Sequence, residues 1–443
     1  MMPVVTVGIL NAGEIQIELN GIFYETFSDM ELNGTITAIC ENGRVLLRGD
    51  CISNVFDKEV WLIPADPQQC SFKVFNVTIG IGFHWQKNED QIFKGTLKIR
   101  VTPSGLSVIN VIPVEDYLIS VISSEMSANS SPELLKAHAV ISRSWLLAQI
   151  EKGLKIKRKE DSYQAHFQTD DELVRWYDRE DHEYFDVCAD DHCQRYQGIT
   201  RAGNPAVELA VRQTEGEVVV FADRLCDTRF SKCCGGITEK FENVWEPVMH
   251  PYLQRVYDNV EDQADLAGDL TVEENAKEWI LSDPPAFCNN SESSVLKQVL
   301  NDYDQATHDF YRWRVNYTGK KLGELIKSKT GIDFGAIRDL VPIQRGVSGR
   351  LIKLKVIGTN RTMTIGKELE IRKALSPTHL YSSAFTVERK EADGDVDFTL
   401  FGAGWGHGVG LCQIGAAVMG SKGYNYWQIL LHYFRGAQIR KNY

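Results

Sequence analysis

Glu125 closes the set Leu118, Val121, Ile122 and Glu125, whose i, i+3, i+4, i+7 spacing puts a carboxyl at the end of an apolar helical stripe. A carboxyl on such a face is held away from water, which suits it to donate a proton; the plain alternative is the polar end of a helix. Arg143 follows eighteen residues later, in the middle of an apolar segment. A buried Arg needs a partner, and its planar fork suits a carboxylate: Glu125, an anionic substrate, or a purely structural ion pair. His182-x5-Cys188-x4-Cys193 offers one imidazole and two thiols within twelve residues. Zinc accepts such a nitrogen and sulfur set, with water, substrate or another side chain in fourth place, and His192 competes as a ligand. A Cys188–Cys193 disulfide or two free thiols are the other readings. Near the C-terminus the run from Gly404 to Ala416 sets Trp405, His407 and Gln413 among five glycines. Glycine lets a backbone approach a ligand closely, so the run reads as a ligand wall or as a turn around a buried aromatic.

The elements that must position these residues follow from local pattern. Pro113 opens the helix that carries Glu125, where its missing N–H costs little. Ser131 is the N-cap of a second helix running to about Ile150. Leu135, Ala139, Leu146 and Ile150 on one stripe, and Ala137, Ile141, Trp145 and Ala148 on another, make this helix apolar on most sides and hence buried. Residues 1 to about 110 read as β: Ile15, Ile17 and Leu19 alternate with polar residues, and Asn42-Gly43 joins two strand-like runs as a hairpin. Residues 154–183 are polar and mixed in charge, and a β-like region runs on to about Phe230. Residues 258–310 are acidic with helical patches and read as an insertion. Strands are expected at Leu351–Ile357 and Ser383–Val387, and a short helix at Trp427–Phe434. The chain shows no internal repeat.

With 443 residues, 43% hydrophobic, the chain is long enough for a large core in two or three domains. Its net charge of −12 argues against a general nucleic-acid or anionic-membrane surface. An anionic substrate would need a local cluster of Arg or Lys. No stretch approaches the roughly 20 apolar residues of a membrane span. Met1 to Leu10 lacks the basic and apolar parts of a secretion signal, so either a signal has been removed or the protein is cytosolic. Ten cysteines in a chain of this length do not make a disulfide scaffold, and their connectivity cannot be read from spacing.

Several blocks together resemble the SpoIID/LytB family. They are Val114-Glu115-Asp116-Tyr117-Leu118 through Glu125-Met126 to Leu135–Val140 and Arg143-Ser144; Asp186-Val187-Cys188 to His192-Cys193-Gln194; Cys234-Gly235-Gly236-Ile237-Thr238-Glu239 with Val244-Trp245; and the glycine run with Gly423-Tyr424 and His432-Tyr433-Phe434. Ser348-Gly349-Arg350 and Ile371-Arg372 lie between the last two. The order is the family's, over roughly residues 95–440. The resemblance implies peptidoglycan chemistry, whether as a lytic transglycosylase or as an enhancer of a partner amidase. It places the family's catalytic Glu on Glu125 and a family Arg on Arg143. It lets Gly235, Gly236 and Thr238 border a sugar, Trp405 stack on one, and His407 and Gln413 hydrogen-bond hydroxyls. It supports zinc, in a structural role, at His182, Cys188 and Cys193. It also implies a cell-envelope location and glycan strands as the partner. Cys233-Cys234-Gly235-Gly236 departs from relatives that carry Ser before the glycines, and a cysteine nucleophile served by His407 is the sharp alternative.

The expectation is an α+β protein. A β-rich N-terminal module (1–85) precedes a SpoIID-like catalytic region with buried helices (86–443), interrupted by the acidic segment near 258–310. The expected function is lytic transglycosylation with Glu125 as acid and then base. The alternatives are a non-enzymatic glycan-binding enhancer and a zinc- or cysteine-dependent hydrolase.

Overall fold

The computed structural model describes residues 2–443 apart from 29, 51, 82–85, 128, 158–165, 177–181, 191, 201, 260–266, 300–308 and 393. The fold is α+β, with its strands concentrated at the N-terminus. Ten strands open the chain: β1 (Val4–Ala12), β2 (Glu14–Glu25), β3 (Glu31–Glu41), β4 (Arg44–Gly49), β5 (Ile52–Phe56), β6 (Glu59–Pro64), β7 (Ser71–Ile79), β8 (Lys87–Phe93), β9 (Thr96–Thr102) and β10 (Gly105–Pro113). They join one sheet in the order β1-β10-β9-β6-β2-β3-β4-β5, with β7 and β8 branching from β2. Alternation decides which face is buried. Ile15, Ile17 and Leu19 of β2 point into the core, while Glu14, Gln16 and Asn20 face outward. Asn42 and Gly43 both take positive φ, 51° and 73°, as a two-residue hairpin turn between β3 and β4 requires.

This sheet crosses the boundary drawn at residue 85. β9 and β10 lie beyond it in sequence, yet β10 pairs with β1 and β9 with β6. The two-residue strand Val187–Cys188 adds to the free side of β1, in parallel with Val7–Gly8, and so ties one predicted metal ligand to the N-terminal sheet.

The helices are α1 (Val114–Glu125), α2 (Pro132–Lys157), α3 (Pro205–Gln213), α4 (Glu273–Leu281), α5 (Ser293–Val299), α6 (Gly319–Thr330), α7 (Glu368–Ala374), α8 (Gln413–Ser421) and α9 (Tyr426–Tyr433). Pro113 precedes α1 with φ −56°, and the Ser131 hydroxyl accepts from the Leu134 N–H at the start of α2. α2 is the central helix. Leu134, Leu135, Ala137, Ala139, Val140, Ile141 and Leu146 are all withdrawn from solvent, and α1, α3, α8, α9 and the strand Glu217–Phe221 pack around it. It runs seven residues beyond the expected end, to Lys157. α3 falls in a stretch that reads as β. Asn204 caps it by accepting from the Ala206 N–H, Pro205 fills the first turn, and Val207, Ala210 and Val211 form its buried stripe. A helical spacing that short was masked by β-branched neighbours.

A second core gathers around α6 and α7, the antiparallel strands Ile337–Arg345, Leu351–Gly358 and Thr362–Gly366, and the three-stranded sheet Arg312–Thr318, Asp395–Ala403 and Phe385–Ala392. The acidic segment, of which 260–266 and 300–308 lie outside the described residues, is built into the body of the protein. α5 packs on α8, and Gln298 takes the Ser131 N–H on its side-chain oxygen and the Ser130 hydroxyl on its carbonyl.

Candidate active site

α1 delivers Glu125 from its last turn to the floor of a cleft of about 270 Å³. Three further segments close this cleft: Trp145 from α2; His192, Cys193, Gln194 and Arg195 from the loop after Val187–Cys188; and Arg229, Phe230, Ser231 and Lys232 around a short strand. Trp245, His407 and Gln413 complete the wall. Glu125 is half-buried, and its Oε1 accepts the Arg195 N–H at 3.4 Å. It is the single carboxylate among the described residues that line the cleft, whose wall also carries the basic side chains Arg195, Arg229 and Lys232. Arg229 is fixed by a bidentate contact with Asp227 (2.6 and 2.9 Å) and lies over the Trp245 ring at 4.4 Å.

Several polar groups in this wall lack a protein partner among the described residues. The Gln194 amide, at 2% exposure, makes no side-chain hydrogen bond among the described residues. Neither do the Ser231 hydroxyl and the Trp245 indole N–H. Groups withdrawn from bulk water and left unpaired cost free energy, on the order of 1–3 kcal/mol each, unless a ligand or water meets them. A polar ligand with several hydroxyls or amides is what such a wall accommodates.

His407 and Gln413 arrive at the cleft as expected, but both are tied down. His407 donates from Nε2 to the Phe230 carbonyl at 2.8 Å and accepts the Val409 N–H on Nδ1 at 3.0 Å. Burial, with Arg229, Arg372 and Arg350 nearby, holds its imidazolium well below the usual range, so the ring is neutral with both nitrogens engaged. Such a ring positions the wall and has no lone pair for a nucleophile. The Gln413 amide nitrogen lies 3.2 Å from His138 Nε2, and an amide N–H can only donate, so the neutral His138 accepts there.

The other expected substrate contacts lie outside the lining. Trp405 stacks on Phe310 at 4.6 Å and meets Tyr381 in a tilted contact at 4.7 Å, which makes it part of an aromatic cluster in the framework. Thr238 donates to the Gln254 carbonyl and accepts the Val256 N–H. Gly235 and Gly236 take φ of 80° and 103° where this segment crosses the glycine run, and Gly404, Gly406, Gly408 and Gly410 are likewise all at positive φ. The glycines therefore serve the path of the chain more than the approach of a ligand. Cys233 and Cys234 are buried and do not line the cleft, and burial pushes their thiols well up. The geometry gives no support to a cysteine nucleophile.

Arg143 is placed differently from the expectation of a contact with Glu125. It is wholly buried, and its Nε and Nη2 grip the two oxygens of Glu115 at 2.8 and 2.5 Å, with the Glu217 carbonyl at 3.0 Å from Nη1. The structural ion pair was one of the readings the sequence left open.

The metal-binding reading gains a fourth donor. His182, Cys188, His192 and Cys193 each bring one ligand atom into a group whose members all lie within 4.8 Å of one another. His182 Nε2 is 3.4 Å from Cys193 Sγ, and His192 Nδ1 is 3.6 Å from Cys193 Sγ and 3.9 Å from Cys188 Sγ. A tetrahedral ion with bonds of about 2.3 Å to sulfur and about 2.0 Å to nitrogen would set such atoms roughly 3.5–3.8 Å apart, so the donor set fits. Both thiols are free. The contact with Cys193, with help from both imidazoles, holds Cys188 far below the ordinary thiol range, as a ligating thiolate needs. His192 and Cys193 also line the cleft, so this cluster shapes the loop whose Arg195 N–H meets Glu125.

Two family models match the chain in succession: "Stage II sporulation protein" over residues 102–221 and a domain of unknown function over residues 239–410. The first spans α1, α2 and the His182–Cys193 donor cluster. The chain is similar to stage II sporulation protein D of Bacillus amyloliquefaciens, 23% identical over 76% of each chain, and to an uncharacterized protein of Brachyspira hyodysenteriae, 28% identical over 75% of this chain and 68% of that one. It is also similar, over 53% of its length and 33% of the relative's, to the amidase enhancer of Bacillus subtilis, at 24% identity. These matches support an assignment to the SpoIID/LytB family, whose model covers residues 102–221.

Proposed function

We propose that this protein acts in cell-wall remodelling as a lytic transglycosylase on peptidoglycan, with Glu125 as its acid and then its base. The observation that carries the reading is that Glu125 is the one carboxylate among the described residues lining the cleft. Glycosidases that use water work with a pair of carboxyls. A single carboxyl suffices when the substrate supplies its own nucleophile. Protonated Glu125 donates to the glycosidic oxygen as the bond from that oxygen to muramic C1 breaks. The C6 hydroxyl of the same sugar closes on C1, and its proton returns to Glu125. The products are a 1,6-anhydro sugar and a free hydroxyl on the leaving sugar. No water is consumed, and the enzyme ends in the state in which it began.

The wall supports a substrate of this kind. The wall carries Arg195, Lys232 and the Asp227-paired Arg229 on a chain of net charge −12, and basic side chains there suit the anionic lactyl and stem-peptide groups of muramic acid. Trp145 and Trp245 offer flat apolar faces, and Gln194 and Ser231 offer unpaired polar groups. Zinc suits the four-donor cluster of His182, Cys188, His192 and Cys193. With four protein ligands the site would be closed, which makes its contribution structural, holding the loop in place. The reading puts the protein in the cell envelope, where its substrate is.

The test is product mass. Purified protein is incubated with sacculi and with glycan strands stripped of peptide. Release of anhydro-muramic products by the wild type and a loss of at least about 10²-fold in Glu125→Gln are expected. Equal rates in the two proteins refute the mechanism. Binding of glycan without release by either, and stimulation of an added amidase, would show an enhancer instead.

A further inference from the structure

A second group of metal-type donors lies outside the cleft, in the dry interior. Cys234, Asp258, Cys288 and Cys412 come from four separate segments, and one ligand atom of each lies within 4.8 Å of all the others. Cys234 Sγ is 3.6 Å from Cys288 Sγ and 3.6 Å from Asp258 Oδ2. These are the edges of a tetrahedron around one ion bound at about 2.3 Å to sulfur and about 2.0 Å to oxygen. All four residues are buried, and all three thiols are free. The spacing leaves room for one ion and none for a cluster.

A set of buried cysteines by itself reads as small hydrophobes packed in a core. Asp258 argues otherwise. Its carboxyl has no exposure, and His432, cationic only when protonated, stands off with Nε2 at 3.9 Å. A carboxylate taken out of water at this depth is costly without a strong counter-charge. Its oxygens accept the Tyr433 hydroxyl at 2.6 Å and the Cys288 N–H at 3.0 Å, which orient it toward the sulfurs in the manner of partners that hold a metal ligand. Cys412 stands at the N-cap of α8, where the helix dipole favours a thiolate, and accepts the Cys234 N–H at 3.2 Å. Gly415, on the first turn of α8, is the residue that makes room: a Cβ there would meet both Asp258 oxygens at 2.6 Å.

We propose that Cys234, Cys288, Cys412 and Asp258 bind one divalent zinc-type ion as a structural site distinct from the cluster beside Glu125. The ion links the acidic segment, through Asp258 and Cys288, to the two strands Phe230–Ser231 and Leu411–Cys412, which pair in parallel behind the cleft. Phe230, Ser231 and Gln413 of the cleft wall sit within two residues of this knot or directly on the strands it joins. The site therefore stabilises the wall and takes no part in bond making. The inference is independent of what the cleft does.

Metal content and cobalt spectroscopy on the full chain test it. The wild type purified without added metal should carry about two equivalents of zinc, one for each donor group. The double variant His182→Ala, Cys193→Ser should keep one. After exchange with cobalt, that variant should show the thiolate-to-cobalt charge-transfer band of a tetrahedral, sulfur-rich site. Cys288→Ser should lose the band and the same equivalent of metal. If Cys288→Ser does not fold, the double variant decides alone. A folded double variant with no metal and no band overturns the proposal. So does recovery of Cys234 and Cys288 as a disulfide when wild type is denatured in alkylating agent without reductant. A wild type with one equivalent that the double variant retains would count against the outer cluster and for this one.

Discussion

Glu115 and Glu125 sit at opposite ends of the same helix and have opposite fates. Glu115, 7% exposed, meets both arms of the Arg143 fork, the Gly216 N–H at 3.2 Å and the Tyr443 hydroxyl. Its acceptor capacity is filled, and its charge is matched by a fully buried guanidinium. Glu125 accepts one N–H among the described residues, at 3.4 Å, and the rest of its carboxyl faces the cleft. The acid whose lone pairs are all occupied holds the fold together. The acid left with open capacity can move a proton. Burial of a carboxylate therefore marks function here only when its partners are missing.

The largest expected effect comes from exchanging each acid for its amide. Glu125→Gln should cost at least about 10²-fold in turnover while leaving the thermal midpoint unchanged or slightly higher. Glu115→Gln should do the reverse: it leaves Arg143 charged and unpaired in the core, lowering stability by about 3–5 kcal/mol, while any protein that still folds turns over normally. Urea unfolding and product mass on both variants check this. A rate collapse in well-folded Glu115→Gln would dissolve the contrast.

Arg143 sharpens the comparison from the other side. Arg143→Ala should match Glu115→Gln in stability, because the same pair is broken. Arg143→Lys keeps the charge but loses the second arm of the fork, so a smaller loss of about 1–2 kcal/mol is expected, again with turnover retained. The double variant Glu115→Gln, Arg143→Met should recover much of the stability, since an apolar replacement removes both charges at once.

A pH series tests the wall behind Glu125. Burial drives His138 down to about 3 from an ordinary value of 6.5. Between these values the unfolded chain binds a proton that the folded chain refuses. Stability from this group is therefore complete above about pH 6.5 and falls as the pH drops toward 3, by about 1 kcal/mol per unit. His407, also depressed by burial, acts in the same direction. His138→Gln should flatten the slope of urea midpoint against pH over this window; an unchanged slope means that His138 is not the group responsible.

The smallest effect is expected at the unpaired wall. Gln194→Ala should weaken glycan binding several-fold, about 1 kcal/mol, with stability level or improved, because an unmatched buried amide is removed. A drop in stability would mean that the amide is satisfied within the fold.

Local pattern in the sequence determined the elements and the place of one candidate side chain. The alternation in β2, the Asn42-Gly43 turn and the Ser131 cap are legible because they depend on neighbours a few residues away. Glu125 is legible for the same reason: its position on a helical stripe is a matter of spacing. The candidate donors His182, Cys188 and Cys193 lie within one short loop, so their grouping was visible too, and His192 was in view as their competitor. The partner of Arg143 was not legible. Glu115 lies 28 residues away on another helix, and nothing local distinguishes it from Glu125 as the acid that a buried Arg would choose. Arg229, Lys232 and Trp245 carried no periodic signal, although the match at Val244-Trp245 marked one of them. Cys288 and Cys412 are 54 and 178 residues from Cys234, and only the packing of α8 against the acidic segment brings their sulfurs together. Spacing encodes which face of an element a side chain occupies. Which faces then meet is decided by burial of the whole core, and that choice made Glu115 structural, left Glu125 open, and gathered three thiols around Asp258.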